Sequence, residues 1–204
     1  MVFVPGNVQT TIKGAVEGIA FFARVKTDTE INEGFAIGNL SQLLSVLKIC
    51  DDPEIIVKDK KKLIVEDSKR KIEIPLVPAS FVKYAEKPEK FLKPDTTITF
   101  KLTENDFYDI NKFGSIFKTD HIVLSGDDNG IYITSTDCSN PTSDNSIIKL
   151  GDSIGETFKA VIKKENATLF GSDYEVSISR KGFIHFSNED LEYFIPVERN
   201  FSQL

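Results

Sequence analysis

The sequence predicts an α+β fold of two similar units, each built from antiparallel strands with few helices. Three observations carry this. The stretch "RKIEIPLV" at 70–77 and the stretch "EYFIPV" at 192–197 are alternating strands that both end in Ile-Pro, at Ile74-Pro75 and Ile195-Pro196, 121 residues apart. Each is the last of three short strands that follow a helix-like segment, so a whole block recurs and not merely a dipeptide. Within these strands apolar and polar residues alternate with the two-residue period of a sheet that has one covered face.

In chain order, "VFVPGNVQTT" at 2–11 reads as a hairpin. Leu40, Leu43, Leu44 and Leu47 then mark one side of an amphipathic helix, with Asn39 as its N-cap. Strands follow at 54–58, 63–67 and 70–77, separated by charged turns. The segment "PASFVKYAEKPEKFLKPD" at 78–95, with three prolines and many lysines, reads as an extended connector.

Next, "TITFKLTENDFYDINKFGSIFK" at 97–118 reads as a strand and a helix carrying Phe107, Ile110, Phe113 and Phe117 on one side. "HIVLSGDDNGIYIT" at 121–134 is a hairpin that echoes 2–11. Its "SGDDNG" tip has acids and glycine, but not at the ligand spacing of a calcium loop. From 158 the earlier block recurs, with a short helix over 161–170 and strands at 174–179, 183–187 and 192–198. The offset between copies runs from 119 (Ile55 to Tyr174) through 120 (Leu63 to Phe183) to 121 (Pro75 to Pro196), as one-residue turn insertions would produce. The strand and helix of 97–118 have no counterpart ahead of the first copy. The second unit is therefore expected to hold two helices and the first only one. The expected division is a first domain at 1–77 that lacks its opening strand and helix, a connector at 78–96, and a second domain at 97–204.

The chemistry of the side chains points away from catalysis. Phosphate-loop, nucleophile-elbow and zinc-protease motifs are all absent. His121 and His185, the two histidines, sit in alternating strands, and no carboxylate pair has apolar neighbours that would raise a pKa. Cys50 and Cys138 lie far apart without a CxxC partner and read as free thiols. The net charge of −6 excludes a uniformly basic surface, though not a local basic stripe. No run approaches the ~20 apolar residues of a membrane span, and Met1 opens without a signal-peptide pattern. A cytosolic chain is expected.

An ordered set of stretches resembles the DNA sliding clamps, the processivity factors of DNA polymerases: "NLSQLLSVLKICDDPEIIV" with "KLIVED", then "TENDFYDINKFGSIFKTDHIVLS", then "LEYFIPVE". The similarity runs from about Gly6 to Glu198 and is to the clamps of large tailed bacteriophages, with the proliferating-cell-nuclear-antigen clamps more distant. It implies a DNA-clamp fold whose two-domain subunits close as a homotrimer around double-stranded DNA, strands outside and helices lining the hole. It further implies loading by an ATP-driven clamp loader, tethering of a DNA polymerase, no enzymatic activity, no cofactor or metal, and a place in the cytoplasm of an infected bacterial host.

Carried over residue by residue, the resemblance puts Ser45 and Lys48 on a pore-facing helix, Lys112 on a second, and Lys163 and Lys164 on a third. It assigns a pocket for partner peptides to Ile12 and Val16 of an early loop, Phe81 and Val82 of the connector, and Tyr193, Ile195, Pro196 and Val197 of the last strand. Two other readings stand beside this one: a clamp-like interaction platform that recruits transcription or repair proteins, and an unrelated α+β hydrolase with His121 and His185 as its candidate bases.

Overall fold

The computed structural model of the protein describes residues 2–3, 6–15, 18–81 and 98–204. These fall into two compact units, Met1–Ile12 with Arg24–Glu86, and Lys13–Ala23 with Lys87–Leu204.

The chain opens with β1 (Val2–Phe3), which pairs antiparallel with β4 (Phe35–Ala36) and stacks Phe3 on Phe35 at 4.5 Å. Between them run β2 (Gly6–Ala15) and β3 (Gly18–Ile31), which are neighbours in a sheet. The expected hairpin at 2–11 is thus replaced by a longer one. Val8, Thr10, Thr11 and Ile12 form a β-branched stretch that favours continued extension, and nothing in it stops the strand at Thr11.

Helix α1 (Leu40–Ile49) begins where predicted, because the Asn39 side chain accepts the Gln42 N–H at 3.1 Å. Its packed stripe is buried Leu43 with partly buried Val46, Leu47 and Cys50, whereas Leu40 and Leu44 flank it and stay exposed. Strands β5 (Glu54–Lys58), β6 (Lys62–Glu66) and β7 (Lys71–Pro75) follow as an antiparallel meander. The register Val57↔Leu63↔Ile74 and Ile55↔Val65↔Ile72 puts these six residues on one face. All but Ile55 pack there with Leu43, Phe35 and Ile37. At the β5–β6 turn Asp59 and Lys60 both have φ 54, the left-handed pair that a tight hairpin demands.

In the second unit β8 (Ile98–Leu102) leads into α2 (Glu104–Ile116), capped by Thr103, whose Oγ1 accepts the Asp106 N–H at 3.1 Å. Phe107, Ile110 and Gly114 face the core, while Phe113 and Phe117, expected on that side, are exposed. Gly114 explains the phase: a Cβ there would stand 2.5 Å from Ser135 Oγ and 3.0 Å from Thr119 Oγ1. Only a bare backbone lets the helix approach that closely.

Strands β9 (His121–Asp127), β10 (Gly130–Thr136), β11 (Ser146–Gly151) and β12 (Phe158–Lys163) form a sheet of order β11-β10-β9-β12. The "SGDDNG" stretch is the hairpin turn, with Asp127 Oδ1 accepting the N–H groups of Asn129 and Gly130. β11 has no counterpart in the sequence reading. β12 corrects it, since the helix expected over 161–170 is a strand to Lys163 followed by a single 3-10 turn at Lys164–Asn166. The apolar run Ala160-Val161-Ile162 is fully buried and pairs with β9. A short run of this kind is ambiguous by periodicity, and sheet partners decide it. Each unit therefore shows one α-helix among the described residues.

Strands β13 (Tyr174–Ser179), β14 (Phe183–Ser187) and β15 (Leu191–Pro196) complete a six-stranded sheet of order β2-β3-β15-β14-β13-β8. Both Ile-Pro pairs end their strands. Pro75 lies opposite Lys62 on the edge strand β7, and Pro196 lies opposite Phe183. Beyond β15 the chain turns along the outer edge of β12. Glu198 N donates to Val161 O at 2.7 Å, and Gln203 exchanges two backbone bonds with Lys159.

Candidate nucleic-acid interface

The polar face of α1 carries Ser41, Ser45 and Lys48, all exposed. Ser45 Oγ donates back to Ser41 O at 2.8 Å, and Lys48 stands in the last turn, where the helix dipole favours a cation.

On α2 the outward face is Tyr108, Lys112 and Ser115, with the Lys112 ammonium 5.9 Å from the centre of the Tyr108 ring. Acids gather at the helix start, Glu104 and Asp106, while its last turn carries no base and Lys118 follows just beyond the C-cap Phe117. There Thr119 N donates to Gly114 O at 3.0 Å and Phe117 N to Phe113 O at 2.9 Å, with Lys118 in the left-handed region at φ 55. This closure turns the chain from α2 into β9.

A cleft of about 920 Å³ opens beside this end of the helix, and Ser115, Lys118, Lys163 and Lys164 reach it together. Lys164 Nζ donates to Ser115 Oγ at 3.2 Å. Lys163 and Lys164 thus come next to α2 from a strand end and a 3-10 turn, not from a helix of their own. Sequence reasoning missed Lys118; its signal was a lone lysine directly after the last apolar helical residue, where a C-cap belongs. The same cleft carries Asp120, Glu165 and Glu198, so its field is mixed in sign. His121, also in its wall, is buried and accepts the Cys138 N–H on Nδ1 at 3.2 Å. Burial raises the Cys138 thiol pKa, and both cysteines are free thiols.

The residues expected to receive partner peptides are less concentrated. Strand alternation sends Tyr193, Ile195 and Val197 into the core, leaving Pro196 open to solvent. Tyr193 Oη accepts the Phe170 N–H at 3.3 Å while Tyr174 Oη donates to Phe170 O at 2.7 Å. Burial beside the Tyr193 hydroxyl raises the Tyr174 pKa well above the ordinary phenol value. Phe81 is 81% exposed at the end of a 3-10 turn, Ala79–Phe81. Ile12 lies within β2 rather than in a loop, and Val16 and Val82 fall outside the described residues. Among the described residues no cluster of His, Cys, Asp and Glu has metal-binding geometry, and no helix is long and apolar enough to cross a membrane.

No family model matches the chain. The sliding clamp of Vibrio phage KVP40 is 28% identical to it over 170 residues, which is 80% of this chain and 76% of that protein. Among solved structures, the Helicobacter pylori beta clamp superposes with a TM-score of 0.69 at 14% identity, covering 97% of this chain and 56% of that one. The same clamp is also solved bound to a DNA ligase peptide. The A. fulgidus PCNA, solved with the C-terminal region of FEN-1 bound, superposes with a TM-score of 0.68 at 15% identity, covering 97% of this chain and 87% of that one. The chain thus spans a little over half the length of the bacterial clamp it matches. At these identities the structures establish the fold, which is the DNA-clamp fold.

Proposed function

We propose that this chain, a relative of a phage sliding clamp with the DNA-clamp fold, is itself a sliding clamp: a ring around duplex DNA that tethers a DNA polymerase for processive replication. The observation that carries the reading is the clamp fold along 97% of the chain, combined with similarity to a phage sliding clamp over 170 residues. The function is topological and non-enzymatic. Three such chains close the ring as a homotrimer, a clamp loader opens it onto DNA, and the work is done in the cytoplasm of the infected host.

Within this reading the helices face the duplex. Lys112, Lys118, Lys163 and Lys164 at α2, with Ser45 and Lys48 on α1, give loose phosphate contacts that carry no base information. A net charge of −6 keeps the remaining surface from clinging to DNA. The outer edge of β11, which no strand pairs among the described residues and where Ile147 is 61% exposed, is the kind of template that pairing between subunits closes. A partner peptide docks at exposed Pro196; the ligase and FEN-1 peptides bound to the solved clamps support this mode of recruitment.

The test is retention on DNA. The chain is loaded onto nicked circular duplex with the loader and ATP, and release is followed after the circle is cut. Retention on circles with release on linearisation, together with longer polymerase products, is the expected result. Release that ignores linearisation would overturn the ring, and peptide binding without longer products would favour the interaction platform instead.

A further inference from the structure

The "SGDDNG" turn at 125–130 carries the chain's one Asn-Gly pair, Asn129-Gly130. In such a pair the side-chain amide carbon and the next backbone nitrogen can close a five-membered ring, and glycine has no Cβ to obstruct the approach. Asn129 is exposed at the tip, so its amide meets water. Packing holds the glycine in place: a Cβ on Gly130 would stand 2.6 Å from both Gly151 O and Lys149 Cε. The tip is also restrained. Gly130 pairs with Asp127 at the closed end of β9 and β10. Asp127 Oδ1 accepts the N–H groups of Asn129 at 2.7 Å and of Gly130 at 3.1 Å.

We infer that Asn129 is a site of self-modification to aspartate and isoaspartate, and that Asp127 sets its rate by holding the attacking nitrogen. In the first step Gly130 N gives up its proton to solvent and attacks Asn129 Cγ. The Cγ–Nδ2 bond breaks, the leaving nitrogen takes up a proton and departs as ammonia, and a succinimide ring remains. Water then adds to one of the two ring carbonyls and reopens the ring. The new carboxylate lies on the side chain or, in the isoaspartyl form, on the former main chain; nothing is oxidised or reduced. Asp127 opposes the first step in two ways. The Gly130 N–H must leave its carboxylate acceptor before it ionises, and the amide anion then forms beside the charges of Asp127 and Asp128. Reaction therefore passes through a locally opened turn. The isoaspartyl product runs the main chain through an extra carbon, so the link between the paired Asp127 and Gly130 no longer fits and the end of the hairpin opens. The inference stands on this turn and does not depend on the chain acting as a clamp.

The full chain is incubated in warm, mildly alkaline buffer, and conversion at position 129 is followed by mass-spectrometric peptide mapping. A synthetic peptide of residues 121–134 gives the rate of the unrestrained Asn-Gly pair. The folded chain is expected to convert, but about tenfold or more slowly than the peptide. Asp127→Ala should speed conversion in the chain by about tenfold. Asp128→Ala removes a neighbouring charge but leaves the Asp127 contacts, and should stay within about threefold of the unchanged chain. Unchanged hydrogen exchange in 122–124 checks that the sheet of each variant is intact, and the comparison of chain with peptide needs no variant. No detectable conversion in the chain long after the peptide has fully converted would overturn the site. Equal rates for chain and peptide, or no acceleration by Asp127→Ala in an intact sheet, would overturn the hold by Asp127.

Discussion

Lys164 Nζ donates to Ser115 Oγ at 3.2 Å, so the turn after β12 is tied to the outward face of α2. Three lysines from two parts of the chain, Lys118 and the adjacent Lys163 and Lys164, share one end of this helix. If duplex DNA passes this face, each contributes a phosphate contact. Lys112→Ala or Lys163→Ala is expected to make the slope of log affinity against log salt shallower by about 0.9 per lysine, equally for all DNA sequences. Filter binding across a salt series measures it, and an unchanged slope would remove that residue from the interface.

Lys118 offers a separation of stability from binding. Its φ of 55 strains a residue with a Cβ, so Lys118→Gly should raise stability by about 0.5–1 kcal/mol. The same change removes a cation from the cleft and should weaken DNA binding. Urea melts and salt titrations on the same variant check both signs.

Gly114→Ala sets helix propensity against packing. Alanine favours the helix by about 1 kcal/mol, but overpacking costs about 1–3 kcal/mol. The short, hydrogen-bonded Thr119 and Ser135 hydroxyls, 2.5 Å apart, leave little room to yield. A net loss of about 1 kcal/mol in urea denaturation is expected, and a gain would mean that α2 shifts freely.

Neighbouring leucines on α1 should behave differently. Leu43 is 3% exposed among Leu63, Val65 and Ile74, and Leu43→Ala should cost about 2–5 kcal/mol. Leu44 is 48% exposed, and Leu44→Ala should stay within about 0.5 kcal/mol. Equal losses would contradict the packing of this helix.

Asp67 makes the first unit sensitive to acid. The backbone N–H groups of Lys69, Asp51 and Arg70 and the Arg70 guanidinium hold its carboxyl down to about 2. Arg70 also donates to Ile49 O, joining the end of α1 to the β6–β7 turn. A depressed carboxylate stabilises the fold at pH above its ordinary value of about 4. That contribution fades as the pH falls through the interval down to about 2. Asp67→Asn should flatten the acid limb of a stability–pH profile, and an unchanged limb would assign the acid sensitivity elsewhere.

Much of this was legible in the sequence. Asn39 and Thr103 sit at the starts of α1 and α2 because a short polar side chain can reach an N–H three residues on, a strictly local rule. The strands at 54–58, 174–179 and 183–187 were equally readable from alternation, and the doubled Ile-Pro marked the ends of two of the sheets' strands. What escaped the sequence was non-local. Ala160-Val161-Ile162 satisfies either a helix or a strand until β9 presents its hydrogen-bonding edge. Leu43 and Leu44 are chemically equivalent, and only the position of the meander decides which is core.

The sequence by itself determined the repeat, the alternation and the helix caps, since each rests on spacing within a few residues of the same chain. The tertiary structure alone decided which lysines meet and which leucines of α1 are core. Lys118 joins Lys164 because α2 closes in a left-handed turn against the end of β12, and Ala160-Val161-Ile162 becomes a strand because pairing is a property of two strands, whereas a sequence pattern describes only one.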